Sequence, residues 1–392
     1  MVPNLRFSYK GDWSKRKLNE ICLFFKGNGL SKSDLSNEGF PCILYGELYT
    51  TYKNEVISDI ISKTNTTLSN PFLSRNNDLI IPGSGEDPID IAVARAIYQN
   101  DIILGGDLNI LRPKSNVSAA FLSYQLNGVR RYDIAKKAQG KSIVHLHNSD
   151  LKEVLVSIPS YDEQLHIVKL LTKIDEMIET QIKIINALDS QRKCIFLKVH
   201  RAQSLKKIKI FELGRMIAAN NLSKDELSIK GNECILYGEL FTKYNLYIDN
   251  VISKTEKIDN AIISSGNDIL FPTSTTVDAF SLIKPSALIK KGVILGGDMF
   301  SIKLKDDYNP IYISCLINFI YRKKFASKTQ GSTIIHLHYR DIKNEVIEIC
   351  DYEIQCKIAN LIESITEKLK VEEELLNLLY IQKSYLLQNM FI

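Results

Sequence analysis

Two short strings in the N-terminal part of the sequence have the residue types of a methyl-transfer site. Phe25-Lys26-Gly27-Asn28-Gly29 has the F-x-G-x-G spacing of a cofactor-binding glycine loop, and Ser69-Asn70-Pro71-Phe72 lies downstream. The first string does not lie in the strand-loop-helix context that such a loop needs, and the second lacks a Pro-Pro pair. In an internal repeat described below, the first string becomes Ile217-Ala218-Ala219-Asn220-Asn221, without either glycine. We therefore interpret these strings as structural turns.

Two histidine pairs, His145-x-His147 and His336-x-His338, could offer metal ligands, because residues i and i+2 of a strand point to the same face. A zinc site usually needs three or four ligands, and no Cys or acidic residue recurs at suitable spacing nearby. Packing or hydrogen bonding is the favoured interpretation. We also find no Ser-His-Asp arrangement, nucleophile elbow or P-loop. The sequence therefore predicts neither a catalytic residue nor a metal site in this chain.

Single carboxylates recur as Glu47 and Glu239, and as Asp107 and Asp298, and hydrogen bonding within loops is their favoured role. Basic, amide, hydroxyl and tyrosine side chains at matched places suit contacts to phosphate and sugar. The candidate nucleic-acid-binding residues are Lys26, Lys32, Tyr45, Tyr49, Thr50, Lys136, Lys137, Gln139, Lys141, Ser142, Lys224, Tyr237, Thr242, Lys243, Lys323, Lys324, Lys328, Gln330, Ser332 and Thr333.

The elements that position these residues occur twice. Ile43-Leu44-Tyr45-Gly46-Glu47-Leu48-Tyr49-Thr50 recurs 192 positions later as Ile235-Leu236-Tyr237-Gly238-Glu239-Leu240-Phe241-Thr242. Ile103-Leu104-Gly105-Gly106-Asp107 recurs at an offset of 191, as does Gln139-Gly140 with its histidine string. A period this long predicts tandem domains and not a solenoid. Between the matched blocks, Gly83–Asp87 and Thr273–Asp278 differ, and loops that differ on a shared frame suit different targets.

Each copy closes with an apolar stripe at a mean spacing near 3.5 residues, which predicts a coiled-coil seam. No Gly or Pro interrupts residues 162–205 or 351–392. We expect these helices to pair antiparallel and to hold the two domains a fixed distance apart. The predicted helix-pair interface consists of Ile167, Ile174, Ile178, Ile185, Leu188, Ile358, Ile365, Leu369, Leu376 and Leu379.

Composition sets the outer limits. The 392 residues carry a net charge of +5 with a pI near 8.6, which is compatible with DNA binding without indicating it. Seven cysteines without a C-x-x-C pair indicate reduced thiols, and no apolar run suggests a signal or a membrane span, so we expect a cytoplasmic protein. The predicted α+β architecture has recognition domains at 1–150 and 206–341, and long helices within 151–205 and 342–392.

The whole pattern resembles the specificity subunit of type I restriction-modification enzymes. The residues that carry the resemblance are Lys26-Gly27-Asn28-Gly29-Leu30-Ser31-Lys32, Tyr45-Gly46-Glu47-Leu48, Gly105-Gly106-Asp107, Gln139-Gly140 with the histidine string, and Ile158-Pro159-x-x-Asp162-Glu163-Gln164. The second copy departs from it at Ile349-Cys350-Asp351-Tyr352-Glu353-Ile354-Gln355, where the proline is missing. We therefore expect that its helix could begin differently, although Gln355 is kept.

The resemblance implies a non-catalytic subunit with two target recognition domains, each reading one half of a split, asymmetric DNA sequence. It implies two partner modification subunits that bind S-adenosylmethionine, and restriction subunits that use ATP and magnesium, so no cofactor is expected in this chain. The expected base readers lie in the divergent loops, within Gly83–Asp87 and Thr273–Thr276, and include Ser84, Ser274, Thr275 and Thr276.

Two alternatives remain open from the sequence. The chain could be the recognition part of a split restriction-methylation enzyme, which a neighbouring methyltransferase gene would help to decide. It could also be a coiled-coil scaffold that binds protein and no nucleic acid, in which case binding would not weaken steeply with salt.

Overall fold

The computed structural model describes residues 2–219, 222–259 and 261–392 of the chain. It divides into two compact units, unit 1 (Met1–Lys183 with Glu373–Ile392) and unit 2 (Ile184–Glu372). The central long helix (Tyr161–Arg201) and the C-terminal long helix (Tyr352–Asn389) each contribute residues to both units. Each unit therefore combines one copy of the repeat with a segment of each long helix.

Unit 1 is built on a mostly antiparallel sheet whose strands are, in spatial order, Cys22–Lys26, Leu108–Pro113, Asp78–Pro82, Arg95–Ile97 and Val56–Ile57. A second sheet contains Ile103–Leu104, Phe40–Ile43, Ser62–Thr64 and Leu35–Ser36, a third contains Gln139–Gly140, Val144–His145 and Ser84–Gly85, and Ser14–Lys17 pairs with Leu155–Ile158. The shorter helices are Leu18–Ile21, Glu47–Thr50, Pro88–Ile91, Ala119–Asn127, Arg131–Ala135 and Asn148–Lys152, with a 3-10 turn at Lys32–Asp34.

Unit 2 repeats this arrangement. Its main sheet contains Gly214–Ala218, Met299–Leu304, Asp268–Pro272, Ser286–Leu288 and Tyr247–Ile248, and its second sheet contains Leu227–Ser228, Ser253–Thr255, Asn232–Leu236, Lys291–Gly296 and Ile263–Ser265. The small pairs are Ser274–Thr275 with Ile335–His336, and Lys206–Lys209 with Val346–Ile349. The shorter helices are Ile210–Leu213, Tyr237–Thr242, Ala279–Leu282, Pro310–Leu316, a π-helical stretch Ile317–Tyr321, Arg322–Ala326 and Tyr339–Ile342, with a 3-10 turn at Lys224–Glu226.

Both long helices begin in the same way, at positions that are 191 residues apart, Tyr161 and Tyr352. Gln164 is buried near the first helix start, where its side chain accepts from the Ser118 amide (2.9 Å) and donates to the Pro159 carbonyl (3.1 Å). Gln355 accepts from the Asn309 amide (3.0 Å) and donates to the carbonyl of Cys350 (2.8 Å). The loss of proline in the second copy therefore does not change the helix start, because the glutamine makes equivalent bonds in both copies.

The helix segments run antiparallel within each unit. In unit 1, Lys383 of the C-terminal long helix lies 2.7 Å from Asp175 of the central long helix. Further along, the end of the C-terminal long helix returns towards the start of the central one, since Phe391 contacts Trp13, whose indole donates to Glu163 (3.2 Å).

In unit 2, the Arg192 guanidinium donates to the Thr366 hydroxyl (3.1 Å). The end of the central long helix meets the start of the C-terminal one through Tyr312, whose hydroxyl lies 2.9 Å from the His200 Nδ1 and 3.2 Å from the amide of Cys350.

The predicted helix-pair residues differ in burial. Ile167, Ile174, Ile178, Ile358, Leu369 and Leu379 are buried, whereas Ile185, Leu188, Ile365 and Leu376 are half-buried. The buried ones of unit 1 join the core under the main sheet, together with Phe121 and Phe391. The α+β class predicted for two tandem copies is confirmed. Among the described residues, no helix has the length and apolar character needed to cross a membrane.

Candidate nucleic-acid interface

In unit 1, the divergent loop Gly83–Asp87 is hydrogen-bonded to a β-hairpin. Strand Ser84–Gly85 pairs antiparallel with Val144–His145, which in turn pairs with Gln139–Gly140. The Leu146 amide also donates to the Gly83 carbonyl (2.9 Å). These bonds fix the loop to the hairpin, so the divergent loop and the repeated hairpin form one surface.

Unit 2 has the same assembly with different loop residues. Ser274–Thr275 pairs with Ile335–His336, and the Leu337 amide donates to the Thr273 carbonyl (2.9 Å). The hairpin is closed by the backbone of Gln330 and His336, which exchange hydrogen bonds of 2.9 and 2.7 Å. We call these two assemblies the reading surfaces of unit 1 and unit 2.

The two repeated aspartates accept hydrogen bonds from side chains of the divergent loops. The Ser84 hydroxyl donates to the Asp107 carboxylate (3.1 Å), and the Ser274 hydroxyl donates to that of Asp298 (3.2 Å). Both serines are buried. Of the predicted base readers, Ser84 and Ser274 thus point their hydroxyls into the protein, whereas Thr276 is exposed and Thr275 is half-buried.

A short helix follows each divergent loop, and an arginine holds it in place. Asp87 caps the helix Pro88–Ile91 by accepting from the Ile89 amide (2.6 Å), and the Arg131 guanidinium donates to the Ile89 carbonyl (3.0 Å). The aspartate supplies the acceptor that the first free amides of a helix need.

In unit 2, Asp278 accepts hydrogen bonds from the hydroxyl and from the amide (2.8 Å) of Ser281, and these two bonds lower the pKa of the Asp278 carboxyl. The Arg322 Nε donates to the Phe280 carbonyl (2.9 Å), and its guanidinium lies 4.1 Å from the centre of the Phe280 ring. Arg131 was not among the predicted site residues, although the offset of 191 from Arg322 could have identified both as loop-positioning residues.

The structure brings several predicted residues of unit 1 to its reading surface. Gln139, Lys141 and Ser142 are exposed on the hairpin. The Lys26 ammonium lies beside Gly83, 3.4 Å from the position that a β-carbon on Gly83 would occupy. The Tyr49 hydroxyl lies 3.6 Å from the position that a β-carbon on Gly85 would occupy. On the reading surface of unit 2, the exposed counterparts are Gln330, Ser332, Thr333 and Thr276.

Three predicted lysines of unit 2 form ion pairs within the protein. Lys243 contacts the buried Glu239 carboxylate (2.6 Å), and Lys324 and Lys328 lie 2.9 and 2.8 Å from the Glu345 carboxylate. Hydrogen bonds from Lys328 and Lys324 lower the pKa of Glu345. The charges of these three lysines are therefore partly neutralised within the protein, which the sequence pattern did not reveal.

The other predicted residues lie on neighbouring elements. Lys32 and Lys224 are exposed in the matched 3-10 turns. Thr50 and Thr242 donate to the carbonyls of Gly46 and Gly238 (2.8 and 3.1 Å). The remainder are Tyr45, half-buried, Tyr237, exposed, and Lys136, Lys137 and Lys323, at or near the helices Arg131–Ala135 and Arg322–Ala326.

The repeated glutamates are structural as expected. Glu47 accepts from the amide of Leu44 (2.7 Å) and from the Ser62 hydroxyl. Glu239 accepts from the Leu236 amide (2.9 Å) and from the Ser253 hydroxyl. Each closes the first turn of a short helix, so neither carboxylate is available to act on a ligand.

The first glycine of the string Phe25–Gly29 has a structural explanation. A β-carbon on Gly27 would stand 2.0 Å from the carbonyl oxygen of Gly105, so this glycine allows two backbone segments to pack closely. Asn220 and Asn221, in the second copy of the string, lie outside the described residues.

The imidazole rings of His145 and His147 are nearly parallel with centres 6.1 Å apart, as are those of His336 and His338 at 6.2 Å. Within residues 2–219, 222–259 and 261–392, no cluster of three or more His, Cys, Asp or Glu could hold a metal.

Comparisons with known proteins agree with this architecture. The sequence profile of the family described as type I restriction modification DNA specificity domain matches residues 10–190 and 205–380. A protein of Methanocaldococcus jannaschii, assigned as the specificity subunit of the type I restriction enzyme MjaX, is 25% identical over 223 residues. That match covers 52% of this chain and 50% of the relative, so the chain spans about half the length of that protein.

Two solved structures share the fold. The S subunit of a type I restriction-modification system from M. genitalium superposes with a TM-score of 0.62 at 16% identity, covering 100% of this chain and 99% of its own. A chain from a structural study of complex assembly and conformational transition of the type I R-M system gives 0.58 at 12% identity, covering 98% of each chain.

Proposed function

Because the chain belongs to the family of type I restriction-modification DNA specificity domains, two of which it contains, we propose that it reads a bipartite, asymmetric double-stranded DNA target. Each unit reads one half of that target with its reading surface. The observation that carries this proposal is that matched hairpins and matched arginines present loops of different sequence. We call Arg131 and Arg322 the arginine clamps, because each donates to a carbonyl of the short helix that follows its loop. A common frame gives both units the same way of approaching DNA, and the loops give each unit its own sequence preference.

The two loops offer different chemistry to base edges in the major groove. In unit 1, Glu86 is exposed, and among the described residues its carboxylate has no hydrogen-bond or ion-pair partner. A carboxylate there accepts hydrogen bonds from the exocyclic amino group of cytosine. In unit 2, the exposed Thr276 and Val277 present a hydroxyl and methyl groups, which suit contact with a thymine methyl. The two half-sites should therefore differ in sequence.

The backbone of the DNA is held by the basic and hydroxyl side chains around the loops. Lys26 and Lys141 flank the reading surface of unit 1, and Ser332 and Thr333 flank that of unit 2. Charged contacts to phosphate release counterions, so binding should weaken steeply with salt.

We further propose that catalysis resides in partner subunits, with this chain acting as their non-catalytic scaffold in the cytoplasm. Two modification subunits would supply S-adenosylmethionine-dependent methylation, and restriction subunits would supply ATP- and magnesium-dependent cleavage. Exposed apolar side chains on the C-terminal long helix of unit 1, Leu375, Leu378 and Tyr385, are compatible with a protein partner. The length of the long helices would set the number of base pairs between the half-sites.

The test is to select bound fragments from random duplex DNA with the full chain, co-expressed with the products of its neighbouring genes. We expect two short constant blocks at a fixed separation. A chain in which Thr273–Asp278 is replaced by the loop of another family member should change one block only. Replacing Gly83–Asp87 in the same way is the matched control and should change only the other block.

Three outcomes would contradict the proposal. A loop replacement that changes both blocks, or neither, would exclude one reader per unit. Fragments that are not enriched above bulk DNA, in complexes that are insensitive to salt, would instead indicate a scaffold that binds protein.

A further inference from the structure

The hairpin tips of the two reading surfaces expose the same kind of residue although the adjoining loops differ. All five residues from Gln139 to Ile143 are exposed, and so are all five from Gln330 to Ile334. In each tip the last residue is an isoleucine, and 57% of Ile143 and 49% of Ile334 are accessible to solvent. A β-branched apolar side chain at a turn is unfavourable in water and is not a usual turn residue.

The backbone of the tip is built to present this isoleucine. Gly140 and Gly331 adopt φ values of +135° and +107°, and a β-carbon on either would stand 2.0 Å from the carbonyl oxygen of Ile143 or Ile334. Only glycine fits such a conformation and such a close contact. The same turn is therefore fixed in both copies, and it places the isoleucine directly before the strand that binds the divergent loop.

Lys141 and Ser142 accompany Ile143, and Ser332 and Thr333 accompany Ile334, so small polar or basic side chains surround a lone apolar one. This composition suits DNA, in which a phosphate backbone borders stacked apolar bases. A protein groove would be expected to cover a larger apolar patch than one side chain.

We propose that Ile143 and Ile334 insert as apolar wedges against a base step in each half-site and partly unstack it, in addition to the sequence reading by the loops. This inference rests on the proposed function. The wedge uses the base stack, which is present in any sequence, and so it explains why the tip is shared between two units that read different targets. Unstacking a step lets DNA bend toward the protein and increases the contact area.

The experiment uses the full chain and duplexes that carry its selected target, with 2-aminopurine placed in turn at each position of both half-sites, one position per duplex. Its fluorescence rises when a base is unstacked. We expect the wild-type chain to raise the fluorescence at one step in each half. Ile143→Ala should abolish the rise in the half read by unit 1 only, Ile334→Ala the rise in the other half only, and each should weaken binding roughly tenfold. Ile143→Met should retain most of the signal.

Ile61→Ala and Ile252→Ala are matched controls, because these isoleucines are also 191 positions apart and 63% and 58% exposed, but lie outside the hairpin sheets. They should leave the fluorescence unchanged. The wedge is refuted if the wild-type chain selects a bipartite target without any rise, or if Ile143→Ala and Ile334→Ala keep the rise. Failure to select any target would refute the proposed function itself. Selection of the wild-type target by the alanine variants shows that they are folded.

Discussion

The two units bury a polar contact between the long helices at the same place but with different chemistry. In unit 1, the Lys383 ammonium lies 2.6 Å from the Glu55 carboxylate and 2.7 Å from that of Asp175. The Tyr124 hydroxyl donates to the other oxygen of Asp175 (2.7 Å). All four side chains are largely buried, so this cluster places two carboxylates beside one ammonium in a poorly solvated site.

In unit 2, the counterpart of this cluster is the buried Arg192, whose guanidinium donates to the Thr366 hydroxyl and also forms an ion pair with the exposed carboxylate of Asp189. Thr366 lies 191 residues after Asp175, and Arg192 lies 191 residues before Lys383. The basic residue is therefore on the C-terminal long helix in unit 1 and on the central long helix in unit 2, as the repeat requires. The place of Glu55 is taken by Leu246. The carbonyl of each accepts from a matched serine hydroxyl, Ser123 for Glu55 (2.9 Å) and Ser314 for Leu246 (2.6 Å).

The comparison shows that both units bury a cation between the long helices, but only unit 1 places two buried carboxylates beside it. A buried ammonium is tolerated in unit 1 because two carboxylates surround it, and each carboxylate depends on the ammonium in turn. Removing one partner of a buried ion pair leaves an uncompensated charge, which costs much more than losing a bond to a neutral hydroxyl. The two units should therefore respond very differently to matched substitutions.

The largest effect is expected from Lys383→Met. It leaves Glu55 and Asp175 facing each other without their cation, and should lower the free energy of unfolding of unit 1 by about 3–5 kcal/mol. Arg192→Met is the matched variant of unit 2 and should cost less, about 1–2 kcal/mol, since Thr366 still donates to the Ile362 carbonyl (2.8 Å) and Asp189 stays exposed to water.

Urea denaturation can separate the two units because Trp13 is the single tryptophan of the sequence and lies in the core of unit 1. Its fluorescence reports unit 1, and hydrogen exchange of the main-sheet amides reports each unit separately. Equal losses in both variants would show that the two buried carboxylates of the unit 1 cluster have no special energetic weight.

Local patterns could predict the features that recur in the sequence. The offset of 191–192 predicted tandem copies, and the uninterrupted apolar stripes predicted helices that the structure places at Tyr161–Arg201 and Tyr352–Asn389. Both signals arise from regular spacing, which the sequence displays directly.

Contacts between distant residues could not be predicted in this way. The partners in the unit 1 cluster, Glu55, Asp175 and Lys383, are separated by more than a hundred positions, and only folding brings them together. For the same reason the sequence could not show that Lys324 is paired with Glu345, or that the Ser84 hydroxyl points inward to Asp107. The repeat could have identified Arg131 as the counterpart of Arg322. It could not have identified the acceptor, because a backbone carbonyl is present at every residue and is not marked by the sequence.

An intermediate effect is expected at the arginine clamps, which also differ between the units. Arg322 both donates to Phe280 and stacks on its ring, whereas Arg131 only donates, at 3.0 and 3.4 Å, to the Ile89 carbonyl. Arg322→Lys should accelerate hydrogen exchange in the helix Ala279–Leu282 roughly tenfold, because lysine cannot reproduce the planar stack.

Arg131→Lys should have a smaller effect on Pro88–Ile91, and each variant should weaken reading of its own half-site only. A larger effect of Arg131→Lys than of Arg322→Lys would contradict the assigned importance of the stack. A change in the half-site read by the other unit would contradict independent positioning of the loops.

The smallest effect concerns the pH dependence of unit 1. Burial, reinforced by the Glu55 carboxylate, raises the pKa of Asp175 above its ordinary value of 3.8, despite the opposing influence of Lys383. Between that value and its folded-state pKa, the folded protein binds more protons at this group than the unfolded chain. Wild-type stability contributed by Asp175 is therefore present at the acid end of this interval and is lost as the pH rises through it.

Asp175→Asn removes this contribution, so the stability of the variant relative to wild type should improve as the pH rises across the interval, by on the order of 1 kcal/mol. Trp13 fluorescence in urea, measured from pH 4 upward in about half-unit steps, gives the difference directly. Asp133→Asn changes an exposed carboxylate of the same unit and is the control, for which we expect no such trend. Unit 2 has Thr366 at this place, so its own unfolding should show no change in either variant. If Asp175→Asn instead lost stability relative to wild type with rising pH, the carboxylate would be stabilised by Lys383 more than it is destabilised by burial, and the ionic cluster of unit 1 would be a net attraction.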